Sequence, residues 1–301
     1  MYKNSFRTII LSALLLTAVS AGAQTLWTVD FVSGKVEYQV KGTRMALPPG
    51  AKVTDDATIY LGKGALVELS TGDRRIAIVK EGMYTVKSIS VTAFSSSRPG
   101  LLEALRSKLR GLTSGNPEAE VAGVRASEAA APSFSTGGDE ARKRGKAALQ
   151  SGDYAAAARD FGYALEEALP GEEGPIRTDL ASALAMFGRP AAALAVMRDG
   201  EQDETPGRYI LEATILLGAG APEDALAVLH AAFPPAGGIR AADGSAIEPF
   251  MLAEAAELEG LAFEALERPG EAAAAYRKAV GASPGSPAAA RAQQRLGITG
   301  P

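Results

Sequence analysis

One string in the chain could form the turn that carries a catalytic serine. Residues 281–285 read G-A-S-P-G, which matches the nucleophile-elbow pattern G-x-S-x-G. Such an elbow needs a strand before the serine, a helix after it and a backbone N–H on the next residue for the oxyanion. The preceding residues have a helical pattern, and Pro284 has no backbone N–H to donate. We therefore interpret this string as a turn that closes a helical repeat.

The other residues that could do chemistry are isolated. The chain has one histidine, His230, and no cysteine, whereas zinc sites of the usual kind need several such ligands. His230 precedes two prolines, so we expect it in the last turn of a helix, where a basic side chain complements the helix dipole. Acidic pairs such as Glu166-Glu167 are expected to be solvated. The sequence therefore predicts a non-enzymatic protein with no catalytic residue, no metal site and no cofactor.

The charge distribution bears on the class of partner. The 301 residues have a formal net charge of −4. Residues 24–98 carry 10 basic and 7 acidic side chains, a net charge of +3, whereas residues 137–301 carry 15 basic and 24 acidic side chains, a net charge of −9. A nucleic-acid-binding surface needs a basic face that neutralises phosphates. The acidic C-terminal half therefore argues against nucleic acid as a partner.

Residues 1–23 have the layout of a secretory signal peptide. Two basic residues lie in the first seven, an apolar run covers residues 8–19, and the tripeptide AGA at 21–23 provides a small-x-small cleavage site. The apolar run is shorter than the roughly 20 residues that a membrane-spanning helix needs. No cysteine is present to carry a lipid anchor. We expect cleavage after Ala23, no membrane span after cleavage, and a periplasmic or secreted location.

Residues 24–94 have the pattern of short strands separated by glycine-containing turns. In KVEYQV, the residues Val36, Tyr38 and Val40 alternate with polar ones, which is the period of a half-buried strand. The strings ALVELS and RIAIVK repeat this pattern, and MYTVKSISV continues it. Short strands with turns at this spacing predict an all-β domain, an antiparallel sandwich or barrel-like fold.

Residues 95–136 differ in texture from both flanking regions. The string PGLLEALRSKLRGL at 99–112 has leucines on one side of a helix and three basic residues, among them Lys108. Such a helix could bind a membrane surface or a partner, or it could pack onto the β domain or the repeats. Its basic face is small for stable membrane binding, which favours packing. The small and polar residues that follow predict a flexible linker.

A pattern of small residues recurs four times in residues 137–301. Shared alanines are separated by 36, 32 and 47 residues, and a second small residue lies twelve positions before each. Repeats near 34 residues predict helix pairs stacked in an all-α array, in which the small residues let two helices approach closely. The eight positions are Gly145, Ala157, Ala181, Ala193, Ala213, Ala225, Gly260 and Ala272. The repeats cover about 138–170, 174–206, 206–235 and 249–284, with an insertion before the last and a C-terminal helix after it.

These positions resemble the tetratricopeptide repeat family. The first repeat matches best, with Gly145, Tyr154 and Phe161, and the last matches at Gly260 and Tyr276. The resemblance implies a concave groove lined by the first helix of each pair, which would bind a protein or peptide. By the family's register, the groove residues would be Arg142, Lys146, Thr178, Ser182, Ile210, Thr214 and Glu257.

Two of these groove residues suggest a ligand chemistry. Arg142 and Lys146 are four residues apart, so they share one helix face. They could hold a carboxylate, such as a chain terminus or an acidic peptide. The alternative is a solvated basic turn on an acidic domain, which base rates for exposed charges favour.

The β region resembles the FecR domain over residues 32–86. The shared pattern is a strand after Ser33-Gly34, a Pro-Gly before a strand, the segment Gly-x-Gly-Ala-x-Val-x-Leu, and a Gly-Asp before another strand. In that family the domain is periplasmic and engages envelope partners in signalling. The family's signalling regulators retain a membrane span, which we do not expect here. The resemblance therefore implies an envelope β module with a ligand of its own.

Together these patterns predict a multidomain scaffold or adaptor of the bacterial cell envelope. The groove of the array would bind an envelope protein or peptide, and the β module would hold a second partner. The alternative is a cell-wall or polysaccharide-associated factor, in which the β module binds peptidoglycan or another glycan.

Overall fold

The structure is a computed structural model that describes residues 25–40, 42–72, 74–92, 105, 108–109, 137–199, 205–234 and 247–297. The predicted signal peptide, most of the region 95–136 and most of the insertion before the fourth repeat lie outside the described residues. Among the described residues, no helix combines the length and the hydropathy that crossing a bilayer requires.

The N-terminal region forms two antiparallel four-stranded sheets, and this confirms the predicted all-β fold. Sheet A has the strand order β4-β1-β6-β7, and sheet B has the order β3-β2-β5-β8. The strands are β1 (Leu26–Ser33), β2 (Val36–Val40), β3 (Thr43–Ala46), β4 (Lys52–Thr54), β5 (Thr58–Leu61), β6 (Leu66–Thr71), β7 (Arg74–Ile78) and β8 (Gly82–Thr85).

Large apolar side chains from both sheets form the core of this β domain. Trp27 and Leu69 of sheet A and Ile59 of sheet B are fully buried within it. Complete burial of an apolar side chain of this size contributes about 1.5–3 kcal/mol. The indole of Trp27 also donates a 2.6 Å hydrogen bond to Asp55, and this bond lowers the pKa of the Asp55 carboxyl. The two sheets therefore form a sandwich around one apolar core.

The prediction that MYTVKSISV continues as a strand is wrong beyond its third residue. The strand β8 ends at Thr85, and the helix α1 (Val86–Thr92) follows. Val86 and Ile89 are both buried in the core of the β domain. Two residues that are three positions apart lie on one face of a helix, so this string fits a helix as well as its alternation fits a strand. The backbone N–H of Val86 donates to Ala57, so tertiary contacts decide between the two.

The C-terminal region is an all-α helical array, which confirms the predicted fold class, and its described residues form four helix pairs and a final helix. The pairs are α2 (Gly137–Ser151) with α3 (Tyr154–Glu166), α4 (Glu173–Met186) with α5 (Pro190–Arg198), α6 (Pro206–Gly218) with α7 (Pro222–Ala232), and α8 (Pro249–Ala265) with α9 (Pro269–Ala282), and the final helix is α10 (Pro287–Arg295). Each helix from α5 to α10 begins at a proline. Proline suits this position because its fixed φ is helical and its missing N–H would have no partner in the helix.

The eight small repeat positions lie where paired helices approach closely. The six alanines are nearly or fully buried. A Cβ atom on Gly145 would lie 2.7 Å from the ring of Phe161, and a Cβ atom on Gly260 would overlap the ring of Tyr276. Each of these two glycines, on the first helix of its pair, thus makes room for an aromatic ring from the second helix. This explains why the helix pairs combine many small residues with a few large ones.

Sheet A is buried on both faces, so the expectation of half-buried strands is wrong for β6 and β7. Val67 and Leu69 belong to the core of the β domain, whereas Leu66 and Ala77 belong to the apolar core of the array. The helix α5 packs against β1, β6 and β7. Two-residue alternation shows that a strand has two faces, but it does not show what covers the second one.

A buried carboxylate joins the β domain to the array. Glu68 of β6 is 3% exposed and accepts hydrogen bonds from the backbone N–H groups of Ala191 (2.8 Å) and Ala192 (3.1 Å) at the start of α5. It also pairs with Arg189 at 2.5 Å. The first N–H groups of a helix have no partner within the helix, and a negative charge is favoured there. Glu68 thus provides, from another domain, the cap that α5 itself lacks.

Candidate binding groove

The first helices of the pairs lie side by side. Helix α4 contacts α6, α6 contacts α8, and α8 contacts α10, whereas each second helix packs between two first helices. In stacked helix pairs this arrangement places the first helices on one continuous face. The seven predicted groove residues all lie on α2, α4, α6 and α8.

In the first repeat, the predicted basic residues already face a carboxylate of the chain. Both Nε and Nη2 of Arg142 lie 3.0 Å from Oδ2 of Asp179 on α4. Lys146 is exposed on the same helix. Burial raises the pKa of Asp179, and Arg142 and Lys146 offset only part of this effect. Arg142 therefore joins two neighbouring repeats, while Lys146 remains accessible to solvent.

In the second and third repeats, most predicted groove residues are buried. Ser182, Ile210 and Thr214 are each at most 2% exposed. The hydroxyl of Thr214 donates a 2.7 Å hydrogen bond to the carbonyl of Ile210 within the same helix. Thr178 is exposed, and its hydroxyl donates to the carbonyl of Gly174 at 3.1 Å. Lys146 and Thr178 are thus the predicted groove residues with exposed side chains.

The fourth repeat contributes two acidic side chains to a partly buried cluster that also contains two basic ones. Glu257 on α8 is 3% exposed, and Arg291 on α10 donates to both of its carboxylate oxygens at 2.7 Å. Glu254, one helical turn earlier, accepts a hydrogen bond from Arg291 at 3.1 Å. These contacts join α8, the first helix of the fourth pair, to α10, the final helix of the array.

The second cation of this cluster comes from a distant part of the chain. Lys108, which lies in the predicted basic helix, is 3% exposed and donates to Oε2 of Glu257 at 2.8 Å. It also pairs with the carboxylate of Glu254 and lies 3.3 Å from the Glu254 carbonyl oxygen. Leu105 and Leu109 are buried in the apolar core of the array. The structure thus places these three residues on the repeats, which is the packing alternative left open by the sequence.

The electrostatics of the cluster follow from its two charge pairs. Burial is the largest influence on the pKa of Glu257 and raises it, but Lys108 and Arg291 together outweigh burial, so the pKa lies below its ordinary value. Burial alone would lower the pKa of Arg291, but Glu257 and Glu254 raise it above the ordinary value. Glu257 and Arg291 therefore favour their charged forms at neutral pH, as a desolvated ion pair requires in order to be stable.

Sequence reasoning identified Glu257 as a groove residue but missed three of the residues around it. Arg291 and Glu254 carry no motif, although Glu254 and Glu257 are three residues apart and so share a helix face. Lys108 was recognised as basic, but its partner was not. Its contact with Glu257 spans 149 residues of sequence, and no local pattern encodes a contact of that range.

The strings considered for catalysis fall at the ends of helices. Ser283 is the residue after the end of α9 and precedes the start of α10, so no strand leads into the G-x-S-x-G string. His230 lies in the last turn of α7, with its Nε2 atom 3.4 Å from Oε1 of Glu259. Within the described ranges, no group of three His, Cys, Asp or Glu side chains is placed to hold a metal ion.

Comparison with known protein families bears directly on the array. Residues 142–208 and 252–287 match the family described as tetratricopeptide repeat. The C-terminal region contains tetratricopeptide repeats. The matched ranges include most of the first, second and fourth helix pairs, and the third pair continues the same stacking between them. Repeats of this kind typically act as non-enzymatic scaffolds for protein–protein interaction. A search among curated proteins found no match to the chain.

Proposed function

We propose that this protein is a non-enzymatic adaptor of the bacterial cell envelope. Its tetratricopeptide groove binds a protein or peptide partner, and its FecR-like β domain holds a second partner. The observation that carries this proposal is the stack of first helices along one face of the array, because this face is where such repeats bind extended or helical protein segments.

The buried junction between the domains supports an adaptor role. Glu68 and the apolar residues around it attach sheet A to α5. Sheet B lies on the other side of sheet A and contacts it across the core of the β domain. A partner on sheet B and a partner in the groove would therefore be held at a fixed separation. Binding both partners would then not carry the entropy cost of ordering a flexible linker between the domains.

The envelope location rests on the signal-peptide pattern and on the resemblance of the β domain to FecR domains. Both features are properties of the sequence. The test is the mass of the protein recovered from a periplasmic or secreted fraction. A mature chain that begins at Gln24 is expected, and an uncleaved chain in the cytoplasmic fraction would contradict the location.

Photo-crosslinking in cells tests the partner. A photoreactive residue replaces Thr178, which is exposed on the first helix of the second repeat. The matched control carries the same residue in place of Arg277, which is exposed on α9, a second helix. We expect one dominant crosslinked protein from position 178 and not from position 277. Equal products from both positions, or none from position 178, would count against binding in the groove.

A second candidate function is glycan binding by the β domain. On the outward face of sheet B, the guanidinium of Arg44 lies 3.9 Å from the ring centre of Tyr60, and the Tyr60 hydroxyl donates to Gln39 at 2.6 Å. Aromatic and amide groups side by side on a sheet suit a sugar, which presents both apolar faces and hydroxyl groups. Purified peptidoglycan should then pellet the wild-type chain but not Tyr60→Ala, and equal pelleting would remove this candidate.

A further inference from the structure

We propose that the fourth-repeat groove is a site for a helical protein segment that carries a basic residue between two apolar ones, and that the chain itself occupies this site with Leu105, Lys108 and Leu109. The proposal rests on the proposed function, since it specifies which segment the repeats accept. A partner segment of this kind must displace the chain's own Leu105, Lys108 and Leu109 from the site.

The apolar part of this contact follows from helical spacing. Leu105 and Leu109 are four residues apart, so they lie on one side of a helix. They are 3% and 5% exposed and belong to the continuous apolar core of the array, which also contains Ile210 and Met251. An amphipathic helix that lays its apolar side into a groove is a recurrent mode of peptide recognition.

The charged part of the contact gives the site its selectivity. The Lys108 ammonium meets three acceptors, namely the Glu257 carboxylate, the Glu254 carboxylate and the Glu254 carbonyl oxygen. An ammonium group has three donors, so each can be satisfied. A neutral side chain at this point would forgo the attraction of both carboxylates, and an acidic one would be repelled by them. The site therefore selects lysine or arginine.

The same cluster can tolerate the departure of Lys108. Arg291 is bound to both Glu257 and Glu254 independently of Lys108, so neither carboxylate loses its only cation when the segment leaves. Lys108 lies 16 residues after the end of α1 and 29 residues before the start of α2. Because Lys108 belongs to the same chain as the site, its contact is intramolecular and has a high effective concentration. A partner segment therefore competes with the chain's own residues for one site.

The experiment uses the full chain and a labelled peptide of residues 99–112 as the probe. In Lys108→Glu, the new carboxylate faces Glu254 and Glu257, so the chain's own segment should leave the groove. We expect this variant to bind the peptide about tenfold more tightly than the wild-type chain, because the intramolecular competitor is removed. Lys63→Glu, which changes the charge equally at an exposed turn, is the matched control and should bind as the wild type does.

Two further sets of variants test the apolar and the charged parts of the contact separately. In Leu105→Ser/Leu109→Ser the segment is released by loss of apolar contact, and its peptide binding should match that of Lys108→Glu. Adding Glu257→Gln to Lys108→Glu, or Lys108→Glu to the peptide, should remove the gain. Thermal unfolding monitored by circular dichroism identifies any variant whose array has not folded. Unchanged binding by both folded, released variants would overturn the proposal.

Crosslinking separates this inference from the proposed function. If Thr178 captures a partner equally in wild-type and Lys108→Glu cells, the adaptor function stands and the displacement of Lys108 is wrong. If position 178 captures no partner in cells with either the wild-type chain or Lys108→Glu, but the released variants bind the peptide, the binding site in the fourth repeat is supported and the adaptor function is contradicted. A wild-type dimer formed by exchange of this segment would assign the site to a second copy and overturn the partner assignment.

Discussion

Among the described residues, two contacts between the array and distant parts of the chain are each built around a glutamate that is 3% exposed. Glu68 joins the β domain to α5, and Glu257 joins the array to the segment around Lys108. The two carboxylates are equally buried but differ in the kind of donor that satisfies them. Glu68 is bound by two backbone N–H groups and one guanidinium, whereas Glu257 is bound by two side chains.

We expect this difference to distinguish a contact that holds the two domains together from one that can exchange. The N–H groups of Ala191 and Ala192 are buried at a helix end, so water can replace Glu68 as their partner only if the β domain separates from the array. The Lys108 side chain can leave Glu257 and be hydrated, and Arg291 remains behind. Equal burial therefore does not mean equal permanence, because what matters is whether the donors have an alternative.

The largest effect is expected when the junction between the domains is broken. Glu68→Ala leaves the two N–H groups of α5 and the Arg189 guanidinium without their buried acceptor. Removal of one partner from a buried pair costs about 3–5 kcal/mol. Urea unfolding should show this loss, whereas Glu166→Ala on the exposed side of α3 should change stability little. A loss for Glu68→Ala no larger than the loss for Glu257→Gln would remove the distinction between the two glutamates.

A smaller, pH-dependent effect is expected at Glu257. Glu257→Gln leaves Lys108 and Arg291 to share Glu254, which should cost about 2 kcal/mol at pH 7, less than the loss of a sole partner. Since the pKa of Glu257 is lowered in the folded protein, its contribution is full above the unfolded value of about 4.3 and is lost as the pH falls through the folded pKa. Unfolding measured from pH 7 to pH 3 should show the difference from wild type shrinking only at the acidic end.

A contact within the array provides a reference for the two long-range contacts. Gly145→Ala places a methyl group against the Phe161 ring, which should cost about 1–2 kcal/mol through overpacking. Gly162→Ala on α3 meets no atom within 4 Å and should stabilise the helix by up to about 1 kcal/mol. Thermal unfolding of the pair should give shifts of opposite sign, and shifts of the same sign would mean that Gly145 is not required for close approach.

The smallest loss is expected for Lys108→Met. The substitution keeps most of the apolar stem and removes a cation whose burial was itself costly, while Arg291 continues to bind Glu257. We expect a loss of about 1 kcal/mol in urea unfolding. A loss as large as that for Glu68→Ala would show that Lys108 is a fixed part of the fold, which contradicts an exchangeable segment.

Much of the fold could be predicted because its signals are local. Alternation of apolar residues in KVEYQV predicted a strand, and β2 lies there. The twelve-residue spacing of small positions predicted the helix pairs, because Gly145 and Gly260 must admit the rings of Phe161 and Tyr276. The groove residues were harder to predict. The family register places Ser182 and Thr214 on the correct helices, but it does not reveal that both are buried.

The sequence by itself determined the two types of secondary structure, the four-fold repeat and the division between a β region and an array. Each depends on residues within about 47 positions of one another. Only the tertiary structure decided that Glu68 caps a helix of the array and that Lys108 lies against Glu257, across 121 to 149 residues. Periodicity records which side of an element is apolar, but the partner of that side is selected by packing and charge complementarity in three dimensions.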